Sequence, residues 1–358
     1  MVVGAGSVAD LGRAVSLATG TDVQMSVMAP TLSTQLDDSR QTSDTEPVPS
    51  CVLCGSARSK RLFRIPPFGY VACRQCGLVR LSPRVASRNL ASFYDGLYRE
   101  PYEHAQETLT QQLANPTFAY RATRLTTVAP GRRLFEIGCG DGNFLAVMRA
   151  RGWDVAGSEV EESAVRVARE RHGLEVHSIG FDDFRIPGES YDAVGAYHVL
   201  EHLYEPRAVL QGIRDVLSPG GVLHLQMPNI GSIDGRLGRQ SWWGLRCPRH
   251  VTFYEPRHLR QLLAEEGFSV VSIETYDPWH SPGAMELTLR AMARRAYRRT
   301  VGAIRSEGSA PAANASPVVP AAGRPRQLRG LPTVARLLAK AEAGVGLGNV
   351  ADVIAVRR

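Results

Sequence analysis

LFEIGCGDGNF, residues 134–144, decides the fold. Leu134 to Ile137 read as a short buried strand and Asn143 to Arg151 as a helix, so Gly138, Gly140 and Gly142 occupy a strand-to-helix turn. Open α/β sheets bind cofactors at such turns. A dinucleotide turn needs G-x-G-x-x-G, with the pyrophosphate resting on the helix N-terminus. Here the spacing is G-x-G-x-G, and Asn143 stands where the last glycine should be. Glu136, two positions before the first glycine, is badly placed for a phosphate but can accept from an ammonium group or water. The turn suits a cationic, phosphate-free ligand.

This E-x-G-x-G-x-G turn resembles the first motif of the class I S-adenosylmethionine (SAM) dependent methyltransferases, and three further segments come in that family's order. WDVAGSEV (153–160) is similar to the second strand, YDAVGAYHVLEHLYEP (191–206) to the fourth strand and the segment after it, and LSPGGVLHLQMPN (217–229) to the fifth. The resemblance implies a doubly wound, Rossmann-like α/β sheet of seven strands and SAM as cofactor. It places Glu136, Gly138, Gly140 and Gly142 around the methionine portion, with Glu159 gripping the ribose hydroxyls. GFDDF (180–184) falls where an acid reads the adenine amino group, so Asp182 or Asp183 is the candidate. A second glycine pattern, VVGAGSVADLG near the N-terminus, has only Met1 to Val3 before Gly4, too little for the strand such a turn requires.

The 358 residues, 44% hydrophobic and 22% charged, fit one large globular domain with small additions. No apolar run approaches a membrane span, and no basic start followed by an apolar run marks a secretory signal, so the cytoplasm is the expected compartment. The net charge of +7 is unevenly spread: residues 281–358 hold 13 Lys+Arg against 4 Asp+Glu, leaving the first 280 residues at −2. Arginine supplies nearly all of it, with lysine only at Lys60 and Lys340. A compositionally biased, solvated surface explains this more simply than an anionic partner, and nucleic acid is disfavoured.

Residues 1–48, rich in Ser, Thr, Asp and Gln without periodicity, read as a disordered arm. In the module at 49–84, Cys51, Cys54, Cys73 and Cys76 form two C-x2-C pairs eighteen residues apart, each followed by glycine. Four thiolates in two tight pairs fill a tetrahedral zinc site, so the expected ribbon holds structural Zn2+. Residues 85–130 read as a helical cap that includes FYDGLYREPY (93–102), and 131–280 as the SAM-binding core. Helices are expected at Asn143 to Arg151, Ser163 to His172, Glu205 to Leu217 and Glu255 to Gly267. FSVVSIETY (268–276) should be the sixth strand, and residues 346–358 the antiparallel seventh. Between them, 281–345 holds a basic helix (285–304) and a flexible linker. That helix reads first as a lid packed on the core, and second as an interfacial helix in peripheral contact with a membrane.

Methyl transfer from a sulfonium requires alignment and exclusion of water, and an oxygen acceptor gains from a general base. His198, Glu201 and His202 come after the fourth strand and His250 after the fifth; His198, His202 and His250 are the candidate catalytic residues, with helix packing the plainer role for His202. In ubiquinone-pathway and small-RNA methyltransferases an E-x-x-E-H segment binds a divalent metal; here His198 replaces its first glutamate, giving H-x-x-E-H, which with His250 offers ordinary ligands. Trp242 and Trp243 wall the pocket or belong to the core. Cys139 is expected against the cofactor. The favoured reading is a methyltransferase acting on oxygen, less readily on carbon, of a small or lipid-linked metabolite. The alternatives are an RNA methyltransferase using ribbon and tail, and a non-catalytic SAM-fold partner subunit. Acceptor and oligomeric state are not legible, since loops rather than fold set the pocket.

Overall fold

The computed structural model describes residues 45–90, 108–179, 186, 190–278, 280–306 and 331–358, with only the backbone of 298–306. FYDGLYREPY, GFDDF with Asp182 and Asp183, most of the N-terminal arm and the 307–330 linker lie outside the described residues. Residues 45–48, the described end of the segment read as an unstructured arm, are ordered. Strand β1 (Thr45–Glu46) pairs antiparallel with β5 (Arg84–Val85), and the Glu46 carboxylate accepts from Arg84 Nε at 2.8 Å and from Ser87 N at 3.1 Å.

Between these lie β2 (Ser59–Ile65), β3 (Phe68–Cys73) and β4 (Val79–Leu81). Helices α1 (Leu109–Leu113) and α2 (Pro116–Val128) lead into the core. α1 starts with a capping box between Thr108 and Gln111; α2 has Asn115 as N-cap and proline in its first turn, where the missing N–H costs nothing. The core runs β6 (Arg133–Ile137), α3 (Asn143–Ala150), β7 (Asp154–Glu159), α4 (Glu162–His172), β8 (Glu175–Ser178), β9 (Tyr191–Tyr197), α5 (Pro206–Val216), β10 (Leu217–Pro228), α6 (Ile233–Gly238), β11 (Thr252–Phe253), α7 (Pro256–Glu265) and β12 (Phe268–Glu274). Helices α8 (His280–Ser306) and α9 (Leu331–Gly344) precede β13 (Val350–Arg357).

The seven-stranded sheet has the order β12-β13-β10-β9-β6-β7-β8, parallel except for β13, which runs antiparallel to both neighbours. Adjacent residues of β6 point to opposite faces, so Leu134 and Phe135 enter two different apolar clusters, one on each side of the sheet. The chain leaves β6 toward β7 and β8, then crosses to β9 on the other side. That reversal opens a crevice at the carboxyl ends of β6 and β9.

Two features exceed the sequence reading. The cysteine module is not a separate bead: Cys51, Leu53, Cys73 and Leu78 share a core cluster with Tyr254, Leu259 and Leu262. Its sheet also has a fourth strand from the core, in the order β11-β4-β3-β2, with Thr252 opposite Arg80 and Phe253 opposite Val79. Beyond the basic helix, the insertion adds α9. Ala335 and Ala339 of α9 pack with Met285 of α8 into a small cluster against Tyr276. Among the described residues no helix is long and apolar enough to cross a membrane.

Candidate cofactor and acceptor site

Gly138, Gly140 and Gly142 all adopt positive φ, at 65°, 55° and 79°. Side chains there would be strained, and a Cβ on Gly142 would lie 2.5 Å from Leu174 Cδ1. The turn therefore packs its backbone close to α4 and leaves the N-terminus of α3 facing the crevice. Glu136 projects from β6 and is buried. Burial pushes its carboxyl up to about 8, against the lowering effect of the nearby Arg121 guanidinium. Its Oε2 has no hydrogen-bond partner among the described residues. A buried acceptor of this kind demands a donor.

Glu159 ends β7, and its carboxylate is already engaged. Oε1 accepts from Val160 N at 2.7 Å and Glu161 N at 3.1 Å, while Oε2 accepts from Gly140 N at 2.9 Å. Glu159 thus braces the glycine turn, and Oε2 retains acceptor capacity for one more donor. Burial still raises its pKa, the three amides pulling the other way. On the far side of the turn, the buried Gln112 of α1 donates to Asn143 Oδ1, which also meets His172 Nε2 at 3.2 Å. Cys139 is buried among Leu134, Phe144, Leu145 and Tyr197, with its thiol pushed well above the ordinary range by burial; it packs the core beneath the turn.

The candidate acceptor end lies past β9. His198 has a φ of 60°, in the left-handed region that L-residues rarely occupy, and its N–H donates to Gln226 O at 2.7 Å. Such strain concentrates at functional positions. Burial, followed by the positive potential of His280 and Arg121, holds His198 well below the usual imidazole range. Its Nδ1 stands 3.5 Å from Glu201 Oε1. Glu201 is 2% exposed, neither carboxylate oxygen has a hydrogen-bond partner among the described residues, and burial pushes its pKa up to about 7.

Ligating atoms of Glu201, His202 and His250 all lie within 4.8 Å of one another. His250 Nδ1 is 2.7 Å from Gly244 O and His202 Nδ1 is 3.1 Å from Arg249 O. Carbonyl acceptors at Nδ1 fix the tautomer and leave Nε2 as the lone-pair nitrogen, the arrangement found behind metal-bound histidines. Burial lowers both imidazoles, which keeps them neutral near pH 7. The donor set, one orphaned carboxylate and two oriented neutral imidazoles, fits a divalent cation. Of the three candidate histidines, His198 and His202 are half-buried, whereas His250 is only 3% exposed.

Residues that the motifs do not announce complete the site. Arg121 of α2 lies 3.9 Å over the Tyr197 ring and donates from Nε to Gln226 Oε1 at 2.7 Å. After β12, His280 brings its ring beside that of His198 and meets Asp277 through Nδ1. Trp242 is core rather than pocket wall, packed with Tyr70, Leu81 and Phe253. Remote from the crevice, the four N-terminal cysteines converge, Cys51 Sγ to Cys76 Sγ and Cys54 Sγ to Cys73 Sγ both at 3.5 Å. That is far beyond a disulfide and near the ~3.8 Å edge of a tetrahedron with Zn–S bonds of about 2.3 Å.

Residues 103–273 match the family model described as "Methyltransferase domain". That segment, just under half of the chain, is similar to the SAM-dependent methyltransferases. Among curated relatives of this domain is the ubiquinone biosynthesis O-methyltransferase of Cereibacter sphaeroides, 36% identical over 98 residues, covering 26% of this chain and 40% of the relative. The enzyme of the same name from Xanthomonas campestris is 34% identical over 129 residues, 32% of this chain and 52% of the relative. The chain therefore spans about half the length of these relatives or less. A SAM-dependent methyltransferase structure from Mesorhizobium loti aligns over 68% of this chain and 100% of its own, at 16% identity and a TM-score of 0.44.

Proposed function

We propose that the protein transfers a methyl group from SAM to an oxygen of a small or lipid-linked metabolite, carbon being the less favoured acceptor atom. The observation that carries this reading is the pair of carboxylates framing the glycine turn, Glu136 buried with Oε2 lacking a donor among the described residues and Glu159 half-buried. Glu136 would meet the ammonium of the methionine portion, and Gly138, Gly140 and Gly142 would let the backbone approach it. Glu159 would take a ribose hydroxyl on Oε2 beside the Gly140 N–H that already holds the turn to it. Asp182 or Asp183 would meet the adenine. The sulfonium supplies a neutral leaving group, so the protein's share of the work is alignment and dryness. The O-methyltransferase names of the relatives support oxygen as the acceptor atom.

His198 borders the acceptor, and Glu201, His202 and His250 would hold a divalent cation able to bind and acidify an acceptor hydroxyl. Cys51, Cys54, Cys73 and Cys76 would hold structural zinc, since four thiols leave no position open for chemistry. The first test is isothermal titration of the full chain with SAM and with NAD, comparing wild type with Glu136→Gln. Micromolar SAM binding, weakened in the variant, with no NAD binding supports the reading. A folded, metal-loaded protein that ignores SAM overturns it in favour of the non-catalytic partner subunit.

A further inference from the structure

Asp277 and His280 form a pair that the methyltransferase motifs do not include. Asp277 is fully buried, and its Oδ1 lies 3.1 Å from His280 Nδ1 and accepts from His280 N at 2.6 Å and Thr117 Oγ1 at 3.0 Å. Against the raising effect of burial, the two His280 hydrogen bonds, the positive potential of His280 and then the Arg121 charge hold the Asp277 carboxyl well below the usual range. The anion is therefore present at every pH at which the protein would work, and it can orient the ring only by accepting from Nδ1–H. That leaves His280 Nε2 with its lone pair. The His280 side chain is 38% exposed, and its ring centroid is 5.0 Å from that of the strained His198 at the carboxyl end of β9. An anchored carboxylate, an imidazole in a fixed tautomer and an open ring face at the reactive end of the crevice are the parts of a general base.

We propose that His280 is the catalytic base for the acceptor hydroxyl and that Asp277 is its positioning residue. The proposal rests on the O-methyltransferase reading. His280 Nε2 takes the hydroxyl proton as the acceptor oxygen forms its bond to the methyl carbon. The methyl–sulfur bond breaks with its electron pair left on sulfur, so the sulfonium charge is replaced by that of the imidazolium. Among the described residues, the charged and titratable groups facing the pair include His198 from the β9 end, Arg121 from α2 and Tyr276 beside Asp277. His198, held neutral by burial, does not compete for the proton.

Two measurements on the full chain test this. Long-range 1H–15N spectra of the histidines at pH 8 should show His280 as the Nδ1–H tautomer, with that preference lost in Asp277→Asn; an Nε2–H tautomer in wild type overturns the proposal. With radiolabelled SAM and catechol as the probe acceptor, His280→Ala should lower kcat about 100-fold or more with an unchanged SAM Kd. It should also lose the acid limb of the kcat–pH profile, and added imidazole should restore part of the rate. A variant that turns catechol over at the wild-type rate overturns the proposal while leaving the enzyme reading intact. If wild type binds no SAM, the methyltransferase reading falls instead. If catechol is inert, the tautomer alone decides.

Discussion

The Glu136 carboxyl, pushed by burial to about 8, keeps its proton at neutral pH in the ligand-free protein. An ordinary glutamate in the unfolded chain loses its proton near pH 4.3, so the folded state binds more protons between those values and its stability falls as pH rises from about 4.5 to about 8. Glu136→Gln copies the protonated form. Thermal melts of the ligand-free protein at pH 8.5 should therefore show the variant more stable than wild type, by at least ~1 kcal/mol. The same variant should bind SAM about 10-fold or more weakly, because an ammonium paired with a carboxylate is a charge-assisted contact. Wild-type SAM affinity should fall as pH drops below about 8, since binding must expel the proton; calorimetry across pH 6–9 reads both effects. Glu201 obeys the same logic around 7. On the proposed metal sites, wild type should hold a divalent cation in addition to zinc at the four thiols, and Glu201→Gln should lose only the former, measured by elemental analysis of dialysed protein, without lowering SAM affinity.

At the scale of elements, β13 is the piece the sheet can least spare. It lies between β12 and β10, is buried along Val350 to Ala355, and brings Asp352 against His224 Nε2 and Gln226 Nε2, both at 2.7 Å, and Arg124 at 2.9 Å. A chain ending at Gly348 would expose two strand edges and strand a buried imidazole and amide, so it should lack a cooperative melt; a sharp transition by circular dichroism would contradict this. The sequence announced the strands and the glycine turn because both are written in neighbouring residues: alternation or an apolar run for the strands, three glycines for the turn. Glu136, Glu159 and the histidine cluster after β9 were legible for the same reason. Asp277 and His280 were not. They come after β12, which β13 and β10 separate from β9 in the sheet, and no local pattern reports that α8 begins beside His198. Helix α9 was hidden by its neighbours: the linker composition before it drew attention from the helical spacing of Val334, Ala335, Leu338 and Ala339.

At the scale of the molecule, the cysteine module and the loop carrying His250 are one construction. Val251 donates to Glu201 O at 2.9 Å and accepts from Leu81 N at 2.8 Å, so a single residue after His250 links the donor cluster to β4. Arg257 and His258 of α7 both reach the Cys76 carbonyl, at 2.9 and 3.1 Å. Stripping the metal proposed at the four thiols should therefore do more than lower the melting temperature. With SAM affinity held near wild type, catechol turnover should fall in Cys73→Ser, because the loop carrying His250 loses its support while the glycine turn, on the other side of β9, keeps its own. Equal losses in SAM binding and turnover would contradict that separation.

The shared strand also constrains how such a chain could change its substrate over generations. A small metal module at one end of a chain is ordinarily portable, free to be lost or exchanged. Here β11 belongs to the module's sheet and to the loop that would meet the acceptor, so neither can be inherited without the other. A chimera that receives residues 45–90 from another such protein should fail to fold its acceptor loop unless residues 246–258 travel with them, and the pair moved together should carry acceptor preference to the recipient.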